Sequence, residues 1–390
     1  DITQWNLKAI NVGEAWTITR GSPNSVVAVL DTGILNNNDL NSNIIGPKLT
    51  FSAGYAYLRN APSCPYASPP NGCLGADHGT SVSGVVAALG NGSYGETIYG
   101  VGPGLHVLPV NVFTRFDDTA TCGEGKAPCL LAYFADVANA ENWVSGSLQH
   151  PSLPAPPSGI HAINLSLGGK DSCYSYMQTA ISDARNQNIT TVIAAGNSNE
   201  LTADYTPANC PNVISVTATN KAGARTFYSN YGNSSTLAAP GGDYDNYIRT
   251  TTEDAYQNTG GTSFSAPHVA GVIGLLTTLQ PSLTVSEIKS ILQGSVQAFP
   301  SMGGGTFDCN NATYSCGAGI LNAFEALRMI QKDEEFNVGL PTPADLALLD
   351  HYPPPAPPIL PSCASGEKMP TAAEINKKIS MPEKHYQATF

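Results

Sequence analysis

Short, mostly apolar runs recur along this chain and end at small or polar residues. Residues 26–30, 107–113, 160–165, 191–195 and 213–218 are of this kind, several of them rich in β-branched side chains. Runs this short, bounded by turn residues, predict strands buried on both faces. Between them, residues 82–89, 131–144 and 176–187 are spaced as helices, and the apolar run 269–276 reads as a buried helix. Strands alternating with helices imply an α/β fold, a three-layer sandwich around a mostly parallel sheet. A short amphipathic stretch at 5–16 precedes the first strand, and 321–327 reads as a closing helix. Residues 51–77, 114–130 and 147–158 read as loops or surface insertions, and Gly90-Asn91-Gly92 is a helix stop.

Past residue 327 the pattern changes. Residues 353–358, Pro-Pro-Pro-Ala-Pro-Pro, form a semi-rigid spacer, and the remainder to Phe390 is polar. The expected division is a catalytic-sized domain over 1–333 and a Pro-rich C-terminal extension over 334–390, either a linker, a removable segment or a packed tail.

At 390 residues the chain has length for one large core and an appendage. Charged residues are scarce at 12 %, and the formal charge of −12 argues against a nucleic-acid partner. No run of about 18 apolar residues predicts a membrane span. The start at Asp1 without a signal sequence reads as a mature N-terminus whose signal and pro-segment have been removed. Nine cysteines favour an oxidising, extracellular or periplasmic setting. Close pairs suggest Cys64–Cys73, Cys122–Cys129 and Cys309–Cys316, leaving Cys173 with Cys210 and Cys363 odd. Zinc is the competing reading, but the spacings lack Cys-x-x-Cys pairs.

Three stretches carry candidate chemistry. Gly260-Gly261-Thr262-Ser263-Phe264-Ser265-Ala266-Pro267 joins a glycine turn to the buried helix, which puts Ser263 at a helix N-terminus where developing negative charge is favoured. Taken alone, this stretch is equally a Ser-rich helix cap. Val-Val-Ala-Val-Leu-Asp-Thr-Gly ends the first strand in Asp31, and Asp77-His78-Gly79-Thr80 puts His78 just before a helix of small residues. A serine nucleophile needs a base, and the base needs an orienting carboxylate. Asp31, Ser166 and Asn197 all fall at strand ends, where the active sites of such sheets gather.

In these motifs and their order, Asp then His then Ser, the chain resembles the subtilisin-like serine proteases (subtilases) of the secreted bacterial type, from about residue 1 to 330. The resemblance implies a secreted, zymogen-derived, monomeric endopeptidase acting on proteins or peptides through an acyl-enzyme. It gives Ser263 the role of nucleophile, His78 that of general base and acid, and Asp31 that of orienting carboxylate. Asn197, after Ala195-Gly196, becomes the side-chain donor of the oxyanion hole. Ser166-Leu167-Gly168 would pair with substrate as an added strand, with Ala194-Ala195-Gly196 as the opposite pocket wall and Tyr205 near its floor. Such walls suit apolar or varied side chains before the cut. Asp204 keeps open a processing protease selective for Arg or Lys, and a catalytically silent binding protein is the other alternative. Structural calcium is implied at Asp1 or Gln4, Asp39 and the loop from Asn91, oxygen donors suited to a hard cation. A lipase or esterase fits poorly, because Gly261-Thr262-Ser263-Phe264-Ser265 lacks the second glycine and the residue order differs.

Overall fold

The computed structural model describes residues 4–58, 75–335 and 387–388. Asp1, Cys64, Cys73, Cys363 and the proline-rich 353–358 lie outside the described residues. Two units divide the chain, Asp1–Leu327 with Met381–Phe390, and Arg328–Ser380.

Eight strands form the main sheet in the order β12-β11-β9-β7-β1-β4-β2-β3. They are β1 (Val26–Asp31), β2 (Leu49–Ser52), β3 (Tyr55–Tyr57), β4 (His106–Asn111), β7 (Ile160–Leu165), β9 (Thr190–Ala194), β11 (Ile214–Thr219) and β12 (Leu237–Pro240). Every pairing is parallel except that of the edge strand β3 with β2. Outside it lie the hairpins β5 (Thr114–Phe116) with β6 (Cys129–Tyr133) and β13 (Ile248–Thr252) with β14 (Ala255–Thr259), and the short pair β8 (Gly169–Lys170) with β10 (Tyr205–Thr206). β15 (Gln387–Ala388) pairs antiparallel with β6.

The helices make the two outer layers. α3 (His78–Ala87) and α7 (Thr262–Leu279) pack on one face of the sheet. α5 (Phe134–Val144) and α6 (Ser175–Asn186) cover the other, where Trp143, Phe134, Met177 and Ile181 share a core with Ala28, Leu30, Ile163 and Ile193. Alternate residues of β1 therefore feed opposite layers, as a pleated strand requires. Short helices fill the rest: α1 (Trp5–Ala9), α2 (Val12–Ala15), α4 (Thr119–Cys122), α8 (Val285–Gly294) with its Thr284–Glu287 capping box, and α9 (Ala323–Glu335).

The expected three-layer sandwich is the observed one, with local differences. The single amphipathic stretch at 5–16 is broken by Asn11 in the left-handed region, φ 54°. The helix expected over 131–144 starts only at Phe134, because Cys129–Tyr133 is taken by a hairpin with Thr114–Phe116. The insertion at 114–130 is thus partly ordered sheet. Disulfides join Cys122 to Cys129, Cys173 to Cys210 and Cys309 to Cys316 as expected, which removes the zinc reading for these six residues.

Candidate active site

β1 delivers Asp31 at its last position, fully buried. Its carboxylate accepts the Thr32 N–H at 2.7 Å. His78 opens α3, and its Nδ1 lies 2.8 and 3.0 Å from the two oxygens of Asp31. A carboxylate only accepts, so Nδ1 carries the proton of this bond and the ring is held in one orientation. The close approach of strand end and helix start needs Gly79, since a Cβ there would fall 2.3 Å from the Gly33 carbonyl oxygen. The Gly79 N–H also donates to Thr32 Oγ1 at 2.9 Å. From outside, the β13–β14 hairpin holds the same helix start: Thr252 and Gln257 donate to Asp77 Oδ2 at 2.6 and 2.9 Å.

Ser263 lies in the first turn of α7 and is 3 % exposed. The Phe264 ring sits 5.5 Å from the His78 ring, which brings that turn against the imidazole. Pro267 has no N–H to give the Ser263 carbonyl, and that oxygen instead accepts the Ser166 hydroxyl at 2.7 Å. Asn164 in turn donates to Ser166 Oγ at 2.9 Å, so β7 braces the serine's backbone. The Ser263 hydroxyl donates to the Ser166 carbonyl at 3.3 Å, long for an O–H···O bond and therefore a weak tether.

Asn197 follows β9 beyond Gly196, which has φ +106° and whose Cβ would meet Asn230 Nδ2 at 2.3 Å. Asn197 Oδ1 accepts both the Thr262 N–H and the Thr262 hydroxyl at 2.9 Å. Two donors fix which end of the amide is oxygen, and the Nδ2 end is left without a protein acceptor among the described residues. An unspent donor beside a helix N-terminus is suited to an anionic oxygen.

Beside these residues, Ser166 and Leu167 are buried, and a Cβ on Gly168 would fall 3.1 Å from the Thr206 carbonyl oxygen. Ala194 and Ala195 are buried. Tyr205 is half-buried and donates its hydroxyl to Glu200 at 2.9 Å, while Lys170 Nζ pairs with the same carboxylate oxygen at 2.7 Å. Burial, helped by Glu200, pushes the Tyr205 phenol up to about 12, so it remains a neutral donor. Asp204 is exposed.

Of the expected calcium ligands, those among the described residues bond to protein partners. Gln4 spends both ends of its amide on Tyr99, donating to its carbonyl at 2.9 Å and accepting its N–H at 2.8 Å. Asp39 is fully buried, and its two oxygens accept the Asn91 N–H and the Tyr256 hydroxyl, each at 2.8 Å. Asn91 Oδ1 accepts from Ser93. Burial raises the Asp39 pKa, partly offset by the hydrogen bonds from Asn91 and Tyr256. No group of three or more His, Cys, Asp or Glu side chains that could hold a metal occurs among the described residues.

Several contributors were not apparent from sequence. Thr262 stood beside Ser263 in the motif and could have been found there. Asn164, Asn230 and Phe264 carry no local signal of their own. His268, fully buried, was visible only as part of the serine motif. Its Nδ1 meets the Phe264 carbonyl at 2.6 Å and its Nε2 meets Asn6 at 2.8 Å, and burial pulls its pKa down to about 4. It is therefore a neutral strut beneath the serine's turn.

Comparison with known proteins identifies the family. A profile of the subtilase family (Peptidase_S8) matches residues 22–319. The chain is 35 % identical over 343 residues to an extracellular protease of Xanthomonas campestris pv. campestris, covering 82 % of this chain and 53 % of that protein. It is 31 % identical over 324 residues to an extracellular basic protease of Dichelobacter nodosus, covering 74 % of this chain and 50 % of that one. The chain thus spans about half the length of these two relatives. Among solved structures, a protease of Pseudoalteromonas arctica PAMC 21717 superposes with a TM-score of 0.66 at 33 % identity, covering 84 % of this chain and 96 % of that one. No helix among the described residues is long and apolar enough to cross a membrane.

Proposed function

The chain belongs to the subtilase family, and we propose that it is a secreted serine endopeptidase that cleaves proteins or peptides through an acyl-enzyme. The observation that carries this reading is the Asp31–His78 pair, 2.8 Å apart, with the ring of Phe264, the residue after Ser263, 5.5 Å from the imidazole. Ser263 Oγ attacks the carbonyl carbon while its proton passes to His78 Nε2. Asp31 holds the tautomer and stabilises the imidazolium that forms. The negative oxygen of the tetrahedral intermediate is met by the Ser263 N–H and Asn197 Nδ2. His78 then returns its proton to the leaving amine, and water repeats the sequence on the ester.

The substrate backbone adds as a strand along residues 166–168, with the side chain before the cut entering between that segment and residues 194–196. We favour apolar or varied residues there over Arg and Lys. Glu200 is already paired with Lys170 and Tyr205, and Asp204 faces solvent. The peptidase domain is taken as residues 1–333, acting as a monomer, with Gln387–Ala388 of the C-terminal extension paired to its strand β6.

Incubating the purified chain with a mixed peptide library and sequencing the products tests the reading. Cleavage after apolar or varied residues, lost in Ser263→Ala, is expected. Absence of cleavage by the folded parent contradicts it, and cleavage confined to Arg and Lys contradicts the pocket assignment.

A further inference from the structure

Arg225 follows β11 and is turned into the protein, 2 % exposed. Among the described residues it forms no ion pair with a carboxylate. Its guanidinium lies instead near three aromatic rings, 4.7 Å from the centroid of Tyr231, 5.5 Å from Phe307 and 5.7 Å from Tyr314. Nη2 donates to the Thr306 carbonyl at 2.8 Å, and Nη1 donates to the Ser229 carbonyl and to Asn199 Oδ1, the latter at 2.8 Å. Burial pulls its pKa down to about 10, so it stays charged at neutral pH.

A buried cation without an anion is costly, and an apolar side chain of similar volume would be cheaper. Aromatic faces and three neutral acceptors offset part of that cost. What the arrangement adds is position. On one side it grips Thr306 and Phe307, just before Cys309, and Tyr314, inside the loop closed by Cys309–Cys316. On the other it grips Asn199, held at φ 54°, and Ser229. Asn230, next to Ser229, accepts the N–H groups of Ser198 and Glu200 at 3.0 and 3.1 Å and donates to the Ala195 carbonyl at 2.9 Å. These bonds enclose the turn 196–200, and Asn197 is in its middle.

We infer that Arg225 is a positioning residue for Asn197, fixing through Asn199 and Ser229 the turn that aims the Asn197 amide into the crevice, with Tyr231, Phe307 and Tyr314 as its aromatic cage. The inference rests on the reading of Asn197 as oxyanion donor. Misplacement of a catalytic group by about 1 Å can cost up to ~10²-fold in rate, and a loosened turn should cost less.

A double-mutant cycle tests it. Arg225→Met is expected to lower kcat about tenfold with KM within about twofold, and to cost under about twofold when Asn197 is already Ala. Arg225→Lys, which keeps the charge but not the fork, should recover part of the loss. The same kcat loss in both backgrounds overturns the inference, because a general effect on folding does not depend on Asn197. Should Arg225→Met not fold, Asn199→Gly decides, since glycine keeps the positive φ and deletes only the acceptor. There, an unchanged kcat, or a loss carried in full into the Asn197→Ala background, overturns it. If Asn197→Ala alone leaves kcat unchanged, the oxyanion reading itself has failed, an outcome distinct from additivity.

Discussion

The crevice formed by Asp31, His78, Asn197 and Ser263 and the corner formed by Gln4, Asp39 and Asn91 are both built from polar side chains gathered at the ends of regular elements. They differ in what those side chains have left to give. In the crevice, Asn197 spends its oxygen on Thr262 and keeps its amide hydrogens. The Ser263 hydroxyl is tethered only at 3.3 Å. In the corner, Tyr99 takes both ends of Gln4, and Asn91 and Tyr256 take both oxygens of Asp39. Unspent polar groups at a surface cleft are positioned to act on a ligand, whereas fully spent ones hold the chain to itself. Substitutions should therefore remove turnover in one region and stability in the other.

The largest expected effect is Ser263→Ala, which should lower kcat by about 10⁶ while the melting temperature barely moves, a magnitude known from subtilisin, a member of this family. Asn197→Ala should follow with a loss of roughly 10²–10³ in kcat and little change in KM, again by the measure of subtilisin. A melting temperature several degrees lower in either variant would show that the crevice is a structural element as well.

The corner should behave in the opposite way. Tyr256→Phe withdraws the donor from a buried Asp39 oxygen and should cost about 1–3 kcal/mol of stability, with kcat retained. A chelator should leave the parent's melting curve in place. A chelator-induced fall restored by Ca²⁺ would show that Asp39 serves a cation after all and would erase the contrast between the two regions.

The smallest effect comes from a group in neither region. Glu141 is fully buried against β9, accepts the Thr191 hydroxyl at 2.6 Å, and leaves Oε2 without a partner. Burial raises its pKa to about 7. Folding thus favours the protonated acid, so its contribution is intact below the unfolded carboxyl range near pH 4.5 and is lost as pH rises through about 7. Glu141→Gln should melt above the parent at pH 8 and converge with it near pH 4, with turnover unaffected. Equal melting temperatures at both pH values would contradict the assignment.

The parts of the fold that were legible in sequence are those whose burial is apolar. Val26–Asp31 and Thr190–Ala194 are buried throughout, and their runs of Val, Ile, Leu and Ala announce it. Ile248–Thr252 was illegible because its inward residues are hydroxylated: Thr250 and Thr251 bury their hydroxyls by donating to the Ser81 and Thr80 carbonyls at 2.7 Å. A strand that packs through hydrogen bonds to a helix backbone leaves no hydrophobic pattern. The crevice was readable because its residues sit at strand ends and helix starts, where the local motif fixes position. The corner's fate was decided by Tyr256 and Tyr99, far along the chain from Asp39 and Gln4, so no local motif could reveal it. Arg225 was invisible for the same reason, since its cage joins Tyr231 to Phe307 and Tyr314, far along the chain.

In the proposed mechanism Ser263 is made nucleophilic by His78 and Asp31. Treating the folded chain with a fluorophosphonate at neutral pH and mapping the adduct by mass spectrometry tests this. A single adduct on Ser263 is expected, formed far more slowly in Asp31→Asn and absent in His78→Ala. An unlabelled Ser263 in the folded parent, or labelling that proceeds equally fast without His78, would contradict it.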